Sequence, residues 1–334
     1  MSESLRTTPP SFNIFGNFWT KPTPRQWRFH IFLFILTIAS TTFAGVIGVS
    51  PDLGTDPPLT RPIDYVLYVP IAYVTSVTAS VRYAFEHPQL LLQGAAFSAC
   101  LLAILLSHEM GHYLACRRYG VDATLPFFIP APPLFVAGTF GAFIKIRSPI
   151  PTRRALFDIG LAGPFAGFIV ALPIAVIGIL KMGPPIPAMS GIYFNDPLLF
   201  KILARLMGVR LDPNSPTNPY YMASWIGLLV TSLNLMPVGQ LDGGHGVFAV
   251  FGQRAHKIIG RLAFATVALL TLLGFWLYSS PSGFLYTILL AVMLRVRHPE
   301  PPVMEPLGTK RTVIAVLTLI VFALCFLPFP ITIS

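Results

Sequence analysis

Seven stretches of this chain are almost free of charge and long enough to govern how it can fold: Phe29–Val49, Leu90–Cys116, Ala155–Leu180, Met222–Met236, Ile258–Leu277, Phe284–Val296 and Val313–Ile333. Crossing the hydrocarbon core of a bilayer takes about 20 predominantly apolar residues in a helix. Most of these stretches reach or approach that length, and Met222–Met236 runs on into a broken segment through Val250. Only 11% of the 334 residues are charged and 54% are hydrophobic, against about 25% charged in ordinary soluble domains. A soluble core cannot absorb so much apolar surface. The composition excludes a soluble enzyme, a disordered chain and a secreted disulfide scaffold. The three cysteines, Cys100, Cys116 and Cys325, lie in or at the ends of apolar segments and read as buried thiols.

The expected fold is therefore an all-α polytopic membrane protein with six to seven transmembrane helices. The lower count applies if Phe284–Val296, at 13 residues, does not span. The positive charges set an orientation. With seven spans and the N-terminus inside, 17 of the 23 Lys and Arg residues fall on the cytoplasmic side and 6 on the other. The net charge of +10 belongs to these short spacers and forms no continuous stripe with interleaved aromatics, which argues against a nucleic-acid partner. Neither repeats nor a loop of domain size are found. Residues 1–28 are expected to be a cytoplasmic tail, and 29–334 a single membrane domain with its core at about 90–250. The start (MSESLRTTPP) lacks the pattern of a cleavable signal peptide, so the first apolar stretch is expected to stay as an anchor.

Among 13 acidic residues, Glu109, Asp158 and Asp242 fall within apolar segments, where an ionisable group is costly and is by default a functional hypothesis. Glu109 belongs to Ser107-His108-Glu109-Met110-Gly111-His112, an HExxH pattern. Residues four apart on a helix share a face, about 5–6 Å from each other, so His108 and His112 can reach one metal ion. Glu109 beside them is suited to act as a base. Catalytic zinc uses three protein ligands and keeps one open position. The other deep carboxylate is Asp242, in Asn234-Leu235-Met236-Pro237-Val238-Gly239-Gln240-Leu241-Asp242-Gly243-Gly244-His245. Pro237 and the glycines break a helix there, and irregular backbone at membrane depth is tolerated only inside protein or beside a wet cavity. Asp242 is the expected third ligand; its competing role is a carboxylate paired with a nearby arginine.

These motifs, in this order, resemble the site-2 protease family of intramembrane zinc metalloproteases, in its bacterial and plastid branch without a PDZ domain. The resemblance extends over Gly138-Thr139-Phe140-Gly141-Ala142-Phe143-Ile144 and over Phe157–Gly167, and covers about Leu90 to His298. It implies one Zn2+ per chain held by His108, His112 and Asp242, with Glu109 as general base and proton shuttle. Asn234 resembles the family asparagine that binds substrate or the developing oxyanion; its alternative role is to satisfy a backbone group near Pro237. His245 reads first as an interfacial histidine, and otherwise as a support to the ligands or a spare ligand. The implied activity is zinc-dependent endopeptidase cleavage, in or near transmembrane segments, of membrane-anchored proteins. The implied partners are that substrate, the lipid bilayer and, as an open matter, a homo-oligomer or an accessory membrane protein. The location expected is a cell membrane, the bacterial inner membrane, with N-terminus and active site toward the cytoplasm. The alternative is a metal-binding membrane protein without proteolysis, a pseudoprotease scaffold or a transporter. Glu109 counts against it, because a binding site alone has no use for the base.

The remaining features have quieter readings. Asp158 follows Arg153 and Arg154 at the start of a span and is expected to pair with them near the helix N-terminus. Gly163 and Gly167 form a small-xxx-small pair suited to close packing against the metal-bearing helices. Leu125–Arg147, rich in proline and then in β-favouring residues, reads as a re-entrant loop with an edge strand able to take an extended substrate, or as a plain interfacial loop. Tyr65–Phe85 and Pro197–Met207 read as interfacial helices. His30, His87, His256 and His298 lie near span ends and call for no role.

Overall fold

The computed structural model describes residues 23–48, 62–133, 135–185, 192–278, 280, 282–296 and 298–333. Most of the expected N-terminal tail lies outside the described residues. The elements are α1 (Pro24–Ile47), α2 (Pro62–Glu86), α3 (Gln89–Arg118), β1 (Phe127–Pro130), β2 (Thr139–Phe143), α4 (Arg153–Leu180), β3 (Ile192–Phe194), α5 (Leu198–Met207), α6 (Pro219–Asn234), α7 (Asp242–Tyr278), α8 (Ser282–Arg295), α9 (Thr309–Cys325) and β4 (Ile331–Ile333).

Each of the seven apolar stretches carries a helix, but Val313–Ile333 leaves α9 at Cys325 and ends in strand β4. Four of these helices, α1, α3, α4 and α7, are long and apolar enough to cross a membrane. The others are shorter, at 16 residues for α6, 14 for α8 and 17 for α9. Their ends are set by local chemistry. Asn218 caps α6 by accepting from the Tyr221 N–H at 3.0 Å, and Pro219 opens its first turn. The turn carrying Pro237 and Gly239 closes it. At α1 the Thr23 and Gln26 side chains cap each other's backbone N–H groups. α7 is two helices joined by a kink at Gly252, where φ is 80°.

Helix α3 is the centre of the bundle, packed against α4, α1 and α6. Leu101, Ile104, Phe157 and Leu228 are fully buried among them. Polar groups are also inside: Thr41 Oγ1 meets Ser98 Oγ at 2.6 Å between α1 and α3. Large apolar side chains face outward instead, with Leu92 77%, Leu319 67% and Trp276 80% exposed. Such a surface is unsuited to water and suited to lipid.

Strands β1 and β2 form an antiparallel pair, with Phe127 opposite Phe143 and Ile129 opposite Gly141. The hairpin follows α1. His30 Nδ1 donates to the Pro126 carbonyl at 3.0 Å, and the Phe34 and Phe128 rings lie 4.9 Å apart. Gly138, at φ +66°, presses its backbone on Ser40 and Thr41, leaving no room for a Cβ. Eleven residues of helix separate those anchors, about 16 Å along α1. The segment is thus a two-stranded hairpin packed along α1.

Two other contacts order the ends of the bundle. β3 pairs antiparallel with β4, joining the segment before α5 to the C-terminus. At the opposite ends, the connector between α8 and α9 pairs Val303 with Thr152, just before α4.

Candidate metal centre

On α3, His108 and His112 stand one turn apart and bring their Nε2 atoms to 3.1 Å. Asp242, the first residue of α7, sets its Oδ2 3.3 Å from His108 Nε2 and 3.2 Å from His112 Nε2. The three ligand atoms all lie within 4.8 Å of one another, and no other such trio converges among the described residues. The donors are two imidazole nitrogens and one carboxylate oxygen, which fits a divalent metal such as zinc with a position left open. His112 Nδ1 donates to the Ile159 carbonyl at 2.7 Å. That fixes the tautomer, so that Nε2 turns its lone pair toward His108 and Asp242.

The imidazoles fit because α4 is bare beneath them. A Cβ on Gly163 would collide with the His112 ring, and one on Gly167 would come within 3.2 Å of His108 Cβ. The small-residue pair therefore packs on the ligand helix, as expected. The Asp242 side needs irregular backbone. Gly239 adopts φ +57°, and a Cβ there would run into the Met293 carbonyl of α8. His256, beyond the Gly252 break, donates from Nε2 to the Gly239 carbonyl at 3.1 Å.

Glu109 is buried beside the three but is not one of them. Its carboxyl meets the backbone N–H of Ile144, immediately after β2. Asn234, the last residue of α6, holds its amide Nδ2 3.2 Å from His108 Nε2. All five residues singled out in the two motifs thus meet in one place. His245 does not join the converging trio. Its Nδ1 instead meets His298 Nε2 at 2.8 Å.

Asp158 has other partners than those expected. Arg311 of α9 donates to both its oxygens, at 2.8 and 2.7 Å, and the Tyr119 hydroxyl also donates to it. Arg153 donates to the Ala249 and Val250 carbonyls, and Arg154 to the Pro306 carbonyl at 2.8 Å. Both arginines are drawn to α7 and the α8–α9 connector, whereas Asp158 faces α3 and α9. The roles of His256 and His298 were not legible in the sequence, since they depend on the turn at Gly252 and on the path of the connector.

Residues 96–276, just over half the chain, match the family described as Peptidase family M50. The probable zinc metalloprotease EGY1, chloroplastic, of Arabidopsis thaliana is 30% identical over 339 residues, covering 95% of this chain and 56% of that protein. The probable zinc metalloprotease EGY2, chloroplastic, of the same plant is 28% identical over 270 residues, covering 77% and 46%. The corresponding EGY3 of Oryza sativa subsp. indica is 29% identical over 236 residues, covering 62% and 38%. This chain thus spans about half the length of these relatives.

Proposed function

This chain belongs to peptidase family M50, and on that premise we propose that it is an intramembrane zinc endopeptidase acting on membrane-anchored proteins. The observation that carries this reading is Glu109: a buried carboxyl next to two histidines and an aspartate whose ligand atoms converge. A transport or scaffold site would have no use for it, and no observation favours the non-proteolytic alternative.

His108, His112 and Asp242 are the proposed zinc ligands, one ion per chain. When bound, zinc supplies Lewis-acid chemistry, acidifying water and polarising a carbonyl. Glu109 accepts the proton of the attacking water and returns it to the leaving amine. The Asn234 amide, beside His108, is a donor available to the oxygen on which charge develops. Among the described residues β2 has a strand partner on one side only, and it ends at the Ile144 N–H that meets Glu109. An extended substrate pairing with β2 would have its scissile amide delivered to the base. The apolar helices around the site exclude bulk water.

We further propose that residues 29–334 form one membrane domain of seven spans, α1, α3, α4, α6, the second half of α7, α8 and α9. The β3–β4 and Val303–Thr152 contacts support this count, because it puts both partners of each pair on the same side. α2 joins the ends of α1 and α3 on one side and is not counted as a span. The Lys and Arg bias supports an N-terminus and zinc site on the cytoplasmic face, and the membrane we propose is a bacterial inner membrane. The relatives are named as chloroplastic, so a plastid membrane is the competing location, decided by fractionating the source cells. A homo-oligomer or accessory protein remains a proposed partner only.

The test pairs metal analysis with cleavage. Detergent-purified protein should carry about one zinc and cut a single-span substrate in liposomes. The His108→Ala, His112→Ala double variant should do neither. Zinc-free wild type after metal supplementation would refute the reading.

A further inference from the structure

Outside the converging trio lies a second group of imidazoles, built by residues that come together only in the folded chain. His245 is one turn after Asp242 on α7, His256 follows the Gly252 break, and His298 comes from the connector between α8 and α9. The His298 ring stacks on Phe248 at 4.2 Å and 9°. It also meets His245 and His256 edge-on, at 4.8 and 4.9 Å.

The protons in this group can be assigned. A carbonyl only accepts, so the 2.8 Å contact between His298 Nδ1 and the Pro299 carbonyl puts a proton on Nδ1. Burial first, and then the neighbouring His245, push the His298 imidazole down to about 3, so the ring is neutral. Its Nε2 is then an acceptor, and the 2.8 Å bond to His245 Nδ1 must be donated by His245. The donor chain runs from His245 to His298 to the Pro299 carbonyl.

Both sides of His245 are held. On one side, a Cβ on Gly160 of α4 would lie 2.7 Å from His245 Cβ and 3.4 Å from the Asp242 carbonyl, so α4 is the floor of this turn. On the other, His298 accepts from the ring. The connector that brings His298 is itself tied to α4. The Arg153 N–H donates to the Val303 carbonyl at 2.9 Å, and Arg154 Nε donates to the Pro306 carbonyl at 2.8 Å.

We propose that His298 is a positioning residue for the metal centre: by accepting from His245 it locks the first turn of α7 on α4 and so holds Asp242 in line with His108 and His112. The assignment rests on the zinc reading above. It makes the α8–α9 connector a strap that sets metal affinity from outside the ligand set. Groups hydrogen-bonded directly to metal ligands typically contribute 10–100-fold in affinity, and His298 acts one bond further out, through His245.

The experiment is zinc competition against a chromophoric chelator, using the full chain in detergent. His298→Phe keeps the stack on Phe248 and removes the acceptor. It should weaken zinc binding about tenfold or more, with little change in the melting temperature of the metal-free protein. His298→Gln, whose Oε1 stands near the place of Nε2, should recover most of that affinity. His245→Leu should weaken binding similarly, and the double variant should be no worse than either single one, since both lose the same bond. Equal zinc affinity in wild type and His298→Phe, or additive losses in the double variant, would overturn the assignment while leaving the zinc site intact. A Gln variant as weak as the Phe variant would also overturn it, by showing that the acceptor is not what matters. No zinc in wild type would overturn the zinc reading and this assignment together.

Discussion

The two halves of the metal centre are made in opposite ways. His108 and His112 stand on the unbroken helix α3, and their spacing follows from the helical repeat alone. Asp242 stands where helical structure fails, after Pro237 and Gly239 and before the break at Gly252. Its position depends on Met293 of α8 closing on Gly239, on His256 reaching the Gly239 carbonyl, and on Gly160 beneath the turn. A helix sets the two histidines by its repeat. The carboxylate comes from the first residue of α7, after an irregular turn, so that side depends on contacts spread along the chain.

The comparison can be broken first at the base. Glu109→Gln should lower peptide cleavage by about 10²–10⁴-fold while retaining zinc, because the carboxyl is outside the trio. Normal cleavage by this variant would refute the proposed mechanism. Asp242→Ala should bring bound zinc well below one per chain by elemental analysis, along with activity. Full occupancy would mean that the two helix-borne histidines suffice and that the irregular half is dispensable.

Smaller perturbations sharpen the contrast. Gly163→Val drives a side chain into the His112 ring, an overpacking that should cost about 1–3 kcal/mol in thermal unfolding in detergent and weaken zinc binding. Gly239→Ala attacks the other half through its φ of +57°, with an expected loss of about 1–2 kcal/mol plus the collision with the Met293 carbonyl. If the local half is the more robust, Gly239→Ala should release more zinc per kcal/mol lost than Gly163→Val does. Smallest of all should be Asp158→Asn. Its pair with Arg311 is partly exposed, at 27% and 24%, and should contribute less than about 1 kcal/mol. A large loss of activity there would move Asp158 from anchoring α9 into the machinery.

Much of the site was legible because its chemistry is rare in apolar surroundings. Charged groups in such stretches are conspicuous, so Glu109 and Asp242 announced themselves, and His108 and His112 were tied to Glu109 by spacing. Gly163 and Gly167 were readable as a packing face, though which imidazole each accommodates was not. Asp158 misled: adjacency suggested Arg153 and Arg154, but those side chains are committed to carbonyls of α7 and the connector, and the partner lies 153 residues away. Span lengths were also imperfectly readable. The apolar stretch Val313–Ile333 continues past the end of α9 at Cys325 into strand β4, because hydropathy records only where apolar residues stop.

By itself the sequence determined the class of environment, the helical character and the identity of the metal-capable groups. Each of these follows from local properties: transfer free energy per residue, the 3.6-residue repeat and the donor chemistry of the side chains. The tertiary structure alone decided how the parts meet. It brought Asp242 to within 3.3 Å of both histidines, ran the hairpin down α1 to Glu109, and carried His298 back to His245. Those placements depend on crossing angles, close approaches at glycine and hydrogen bonds between distant residues. No local pattern encodes them, because each partner is satisfied only once the other has arrived.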